Sequence, residues 1–174
     1  MTRGDIYPQP EHFGDASVPA FGYELIRNEL IPELLGEETA SILYWSGRKI
    51  ARHYPLDNEE QLADFFTQAG WGTLTMLEKG KSKITFDCRS ALIESRIKDH
   101  PESVSFALEA GFIAEQMQRI LGFMAESYTD IRKGREKKAL FTVKWDAKDP
   151  IDRNTEPATR TARKKMKNDT LGSF

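Results

Sequence analysis

Residues Glu109–Gly122 read EAGFIAEQMQRILG, and this stretch decides the fold. Its apolar positions recur at helical spacing, yet Gly111 stands among them, where glycine costs about 1 kcal/mol against alanine. Something must need the missing side chain: a second backbone at close range, or a ligand. Val104, Ala107, Leu108, Gly111, Phe112, Ala114, Met117, Ile120 and Leu121 together cover well over half of the helix circumference. Such a helix is covered on more than one side. It is therefore expected at the centre of the domain, starting at Ser103. Ala107, Gly111 and Ala114 form a small-residue strip that faces either a sheet or the Gly47–Ala51 strip of an earlier helix.

On both sides of this helix the period changes from helical to alternating. GTLTMLEKGKSKITFDCRS alternates around Lys79-Gly80-Lys81, so it reads as a hairpin with Ile84, Phe86 and Cys88 on one face and Thr85, Asp87 and Arg89 on the other. LIESRIKDHP, from Leu92 to Pro101, is a charged connector with one helical turn at most. After the central helix, GFMAESYTDIRKGREKKALFTVKWD forms a second hairpin around Lys133-Gly134-Arg135, with Phe141, Val143 and Trp145 on one face. Beyond Asp146 come two prolines, few apolar residues and the basic run RTARKKMK. Residues 147–174 are therefore expected to be a disordered basic tail, because they bury too little to offset chain ordering.

Upstream lie three helical segments. Residues 1–17 carry Pro8, Pro10, Gly4 and Gly14 without a period and read as an irregular arm. From Phe21, the set Phe21, Leu25, Ile26, Leu30 and Ile31 follows helical spacing until Pro32, where the helix kinks or restarts. The second helix, in GEETASILYWSGRKIARHYPL, stops before Pro55. The third, NEEQLADFFTQAG, is capped by Asp57 or Asn58 and ends at a glycine. The order helices, hairpin, helix, hairpin gives an α+β domain over residues 18–146, with a four-stranded antiparallel sheet packed on a layer of about four helices.

Composition sets outer bounds. The 174 residues are 39% hydrophobic and 30% charged with a formal charge of -2, which suits one domain with a real core and gives no overall field for nucleic acid. No apolar run approaches the roughly 18 residues of a membrane span. The first fifteen residues lack the continuous apolar stretch of a signal peptide, and a single cysteine forms no internal disulfide, so a cytoplasmic protein is expected.

The phrases LLGEETASILYWSGRKIARHYPL, FFTQAGWGTL, SFALEAGFIAEQMQ and KALFTVKWD, in this order, resemble the uncharacterised YslB-type proteins of Gram-positive bacteria. That family is distantly related to four-vinyl-reductase sensor domains and to TRAPP vesicle-tethering subunits. The resemblance covers about Val18 to Asp146 and implies the same four-stranded sheet on a helical layer. It also implies a cavity between the layers that takes small aromatic or acyl ligands in some relatives, and dimers formed through helices. The cysteines near the last strand of four-vinyl-reductase-type domains have no counterpart in MAESYTDIRKGREKKALFTVKWD, so no metal is expected.

Candidate residues divide into two sets. Phe86, Cys88, Gly111, Phe112, Met117, Phe141 and Trp145 either line a ligand pocket between sheet and helices or fill it. Tyr23, Leu34, Leu35, Tyr44 and Trp45 exceed what one internal face requires and mark a homodimer interface on helical surfaces rather than on sheet edges. Cys88 alternates with Ile84 and Phe86 and reads as core rather than nucleophile. His12, His53 and His100 lack zinc-ligand spacing, and Glu37-Glu38 and Glu59-Glu60 fit helix first turns better than a catalytic dyad. In AGWGT, Trp71 is an aromatic plug after a helix cap or, in the sharper reading, a binding lip. Two functions follow: a non-enzymatic, sensor-like module holding a small hydrophobic ligand, or a structural or regulatory interaction protein with a filled core. The cofactor is unknown.

Overall fold

The computed structural model describes residues 7–14 and 16–151. Helix α1 (Ala20–Glu24) runs through a π-helical segment (Leu25–Leu30) into α2 (Ile31–Leu35). Pro32 occupies the first turn of α2, where no backbone donor is needed, and the preceding turn widens so that the Ile31 N–H reaches the Ile26 carbonyl. The expected break at Pro32 is thus a π segment within one helical rod. A 3-10 turn (Gly36–Glu38) leads into α3 (Thr39–His53). Helix α4 (Glu59–Gln68) is capped by Asn58, whose side chain accepts the Gln61 N–H at 2.9 Å. Gly70 takes the left-handed conformation after it, and the Trp71 N–H returns to the Phe66 carbonyl at 2.9 Å.

Strands β1 (Thr73–Lys79) and β2 (Lys83–Arg89) form the first hairpin. Strands β3 (Phe123–Arg132) and β4 (Lys138–Pro150) form the second. The sheet order is β1-β2-β4-β3 with every pairing antiparallel, so β1 and β3 are the edges. The register sets Leu74 opposite Cys88, Phe86 opposite Phe141 and Ile84 opposite Val143, and all six are buried beneath the helices. The other face, with Thr85, Thr142 and Lys144, is polar, as suits a sheet covered on one side.

Three expectations need correction. The connector after β2 is a full helix, α5 (Ala91–Asp99): Ser90 caps it by accepting the Ile93 N–H at 3.2 Å, while Ile93 and Ile97 are buried one turn apart. Its charge is misleading because Arg96 is buried too, its guanidinium held by Glu24 at 2.9 Å. The central helix, α6, spans Ala107–Leu121 and does not start at Ser103. The chain past Asp146 continues β4 to Pro150, and Ile151 donates to the Gly122 carbonyl at 3.1 Å. Backbone pairing carries this extension together with the Asp146 side chain, which accepts the Lys148 N–H at 2.9 Å, and the side chains from Asp146 to Pro150 are exposed. The rest of the expected tail, and residues 1–6 and 15 of the expected arm, lie outside the described residues. Within the arm, Pro10–His12 form a 3-10 turn, Tyr7 stacks on His53 at 3.9 Å, and the Tyr54 hydroxyl donates to the Pro8 carbonyl.

Every residue of α6 from Glu109 to Met117 is buried, which makes it the central helix. Its most extensive partner among the helices is α3. A Cβ on Gly111 would overlap the carbonyl oxygen of Tyr44 and stand 2.7 Å from the carbonyl carbon. Reciprocally, a Cβ on Gly47 would overlap the Leu108 carbonyl oxygen and stand 2.9 Å from the Phe112 nitrogen. The small-residue strip therefore faces α3, and the obstacle is backbone, which cannot swing aside. Gly111→Ala gains about 1 kcal/mol of helix propensity but forces two helices apart, at a cost of about 3 kcal/mol or more. A net loss of about 2 kcal/mol is expected, read as a melting temperature lowered by about 4–8 °C, and Gly47→Ala should behave alike.

Candidate functional site

Between α6 and the sheet, the side chains named as pocket candidates pack on one another. Phe112 stacks on Phe65 with centroids 4.4 Å apart and meets Trp71 edge-on at 5.3 Å, while Phe66 bridges Trp71 and Phe141 at 5.1 and 6.4 Å. Phe86, Cys88, Phe112, Met117 and Phe141 belong to one buried cluster. Trp145 lies half-buried at its margin, and Gly111 faces α3. Trp71 is a plug in this cluster, set by the turn at Gly70.

Cys88 sits inside the cluster with its thiol directed at the Trp71 carbonyl, 3.7 Å away. Burial, reinforced by the charges of Glu109 and Asp87, pushes the thiol up to about 12, so it stays protonated. Asp87, on the polar face, is the converse. Burial would raise it, but hydrogen bonds from Arg89 and Lys138 at 2.8 and 3.0 Å hold it below the usual carboxylate range.

The α6 helix also carries polar residues into the interior, and each is matched. Arg27 meets Glu109 at 2.6 Å with both side chains at most 6% exposed, tying the α1–α2 rod to the centre. Burial would lower Arg27, but the Glu109 charge holds its guanidinium above its ordinary value. Glu115 receives Arg48 at 2.8 Å and Arg52 at 2.6 Å. Arg48 further donates to Gln118 at 2.7 Å and to the Ala125 carbonyl at 3.1 Å, joining α3, α6 and β3 through one guanidinium. Gln116 donates to the Tyr54 and Ala51 carbonyls and accepts the Leu56 N–H, closing the C-terminus of α3. These pairs use the charge that α6 brings inside: removing one partner of a buried pair costs about 3–5 kcal/mol because it strands the other. Glu37 and Glu38 lie in the turn before α3, Glu59 pairs with Lys79 at 2.7 Å, and among the described residues no three His, Cys, Asp or Glu side chains converge as a metal site would.

The interface candidates separate in space. Leu34 and Trp45 are 72% and 62% exposed. Tyr23, Leu35 and Tyr44 are half-buried: the Tyr23 hydroxyl accepts from Arg27 at 3.1 Å, and the Tyr44 hydroxyl accepts the Ser127 N–H at 3.3 Å. What the sequence reading missed is the orientation of the first rod. Its inner side is Tyr23, Arg27, Ile31 and Leu35, while Phe21, Leu25, Ile26, Leu30 and Leu34 point outward. The π segment explains this, since the spacing 21, 25, 30, 34 keeps one stripe only if one turn is wider. That 4-5-4 spacing was the available signal.

A second feature joins α3 to the sheet edge. Ser41, Tyr44, Trp45, Arg48, Glu126, Ser127 and Tyr128 line a half-open groove of about 360 Å³. Arg48 lies over the Trp45 ring at 5.6 Å, and the buried Ser127 hydroxyl has no hydrogen-bond partner among the described residues.

Comparison with known proteins gives three findings. Residues 20–144 match the family described as Protein of unknown function (DUF2507). The chain is 42% identical over 141 residues to the uncharacterized protein YslB of Bacillus subtilis strain 168, covering 81% of this chain and 94% of YslB. A vinyl-4-reductase family protein from Methanocaldococcus jannaschii shares the fold with a TM-score of 0.59 at 19% identity, over 79% of this chain and 88% of that one.

The state of Cys88 is directly measurable. At pH 8 a thiol titrating near 12 carries about a thousandfold less thiolate than a free cysteine. A colourless-to-yellow disulfide reagent should therefore leave the native protein unlabelled over hours and titrate one thiol at once in guanidinium.

Proposed function

Since this chain belongs to the DUF2507 family, whose function is unknown, we propose that it is a non-enzymatic interaction module with a structural interior, working through its outer helical surface. The observation that carries this reading is the stripe Phe21, Leu25, Leu30 and Leu34 on the α1–α2 rod, with Ile42 and Trp45 exposed on the helix that follows. An apolar stripe of this extent facing water is the usual mark of a protein partner. The interior supports the same reading: Phe65, Phe66, Trp71, Phe112 and Phe141 occupy the space that a small acyl or aromatic ligand would need between helices and sheet. Its one cysteine is held as a thiol and its buried carboxylates are paired, which suits a structural rather than a catalytic centre in a cytoplasmic protein.

The partner proposed first is a second copy of the chain, meeting the rod and α3 across a two-fold axis, because helical stripes that repeat on identical subunits pair most simply that way. Light scattering at micromolar concentration should give a dimer. Leu30→Asp with Leu34→Asp should give a folded monomer with unchanged circular dichroism. A monomeric parent, or a dimer indifferent to both substitutions, would remove the helical homodimer. An adduct in native mass spectrometry of protein purified from its source would return the reading to a ligand-holding module.

A further inference from the structure

The open edge of β3 is self-complementary, and the geometry points to it as a second surface on which two copies of this chain pair, strand to strand. In β3 the Ser127 N–H donates to Tyr44 and the Ala125 carbonyl accepts from Arg48, so these residues point their backbone groups away from β4. The β3–β4 register runs without a shift from Ala125 to Arg132. By the alternation of an antiparallel ladder, Thr129 and Ile131 therefore point outward as well. Helix α3 satisfies the first part of the edge. The Ser127 carbonyl, both backbone groups of Thr129 and the Ile131 N–H have no partner among the described residues. The opposite edge is treated differently: β1 is interrupted by an irregularity between Met76 and Glu78, a common guard against edge pairing.

The free groups are symmetric about Thr129. A second β3 running antiparallel, with the two-fold axis at Thr129, exchanges both Thr129 bonds and joins each Ser127 carbonyl to the Ile131 N–H of the other copy. Four hydrogen bonds form, and the Ile131 carbonyl of the other copy takes the place of the Tyr44 hydroxyl at each Ser127 N–H. The same register sets Tyr128 opposite Asp130 and Glu126 opposite Arg132, all on the polar face. Each pair thus meets an acceptor with a donor, or an anion with a cation. In the single chain Arg132 meets Asp130 at 2.9 Å, with both side chains more than half exposed, Tyr128 donates to Glu126 at 2.6 Å, and the Lys144 ammonium lies 5.6 Å from the centre of the Tyr128 ring. Glu126 also rims the aromatic groove, so the incoming Arg132 guanidinium arrives beside Trp45 and Tyr128. The occupant is a second copy because the charges of this strand complement themselves in this register.

This pairing does not rest on the helical reading, and it is tested in the Leu30→Asp, Leu34→Asp background so that failure of one leaves the other measurable. Thr129→Cys places two thiols across the axis at the separation of a hydrogen-bonded pair, about 5.5 Å between Cα atoms, within disulfide range. Mild oxidation should give a reducible covalent dimer at least tenfold faster than Thr75→Cys, an exposed position on β1. Adding Glu126→Arg, or Arg132→Glu, should each slow it about tenfold, since each sets like charges opposite one another. Mixing these two variants should restore it, because the mixed pair aligns Arg with Glu at both ends. Recovery on mixing cannot arise from a folding defect. Cross-linking no faster than at Thr75, or a mixture as slow as its components, would overturn the proposal.

Discussion

The contact on which the rest of the structure depends is the backbone-to-backbone approach of α3 and α6. Gly47 and Gly111 each abut a carbonyl of the opposite helix, Leu108 and Tyr44, at a distance that excludes any side chain. Two helices this close share one layer over the sheet and leave no room between their axes. Phe112, next to Gly111 on α6, is directed at α4 and the turn after it, and becomes the centre of the aromatic cluster with Phe65, Phe66 and Trp71. The glycines set the spacing, and the aromatics fill what remains.

Close approach also explains the buried charges. A helix covered on nearly all sides cannot keep glutamates in water, so Glu109 and Glu115 are inside and must be matched. Arg27 and Arg48 reach them from different elements, so each pair also records where a neighbour must lie: the α1–α2 rod in one case, α3 and the start of β3 in the other. Ion pairs of this kind add little net stability against an apolar replacement but penalise any other arrangement. The rod is the clearest instance. Arg27 is its only buried residue, and Glu24 on Arg96, with the Arg96 guanidinium over the Tyr23 ring at 5.7 Å, adds a second polar tie to the body.

Outside this packed cluster the molecule presents several kinds of surface to water. The thiol is protonated, Glu109 and Glu115 are paired, and the large apolar residues that face water include the stripe on the rod, Ile42 and Trp45 on α3, Met76 and Leu77 on β1, and Met124 and Tyr128 on β3. These surfaces have different physics. The rod offers area without direction, which suits hydrophobic association. The strand edge offers aligned donors and acceptors with little area, which suits a weak, register-specific pairing.

Much of this was legible in the sequence because it depends on local period. The two hairpins, the central place of α6, the Asn58 cap, the burial of Cys88 and the need for Gly111 all follow from spacing within a few residues. Helix α5 was obscured because its buried face includes Arg96, whose acceptability inside depends on Glu24, distant in sequence. The last residues of β4 were obscured because they are held by backbone bonds to β3, which carry no side-chain signal. The orientation of the first rod required the π turn, a one-residue change of phase that propensity does not encode. Sequence alone determined the two hairpins, the helices on either side of the first hairpin other than α5, and that a backbone or a ligand had to touch Gly111. Only the tertiary structure decided that it is the Tyr44 backbone, that Phe112 packs on Phe65, Phe66 and Trp71, and which apolar stripe is left facing water. Those outcomes depend on which distant surfaces meet, and no local pattern contains that information.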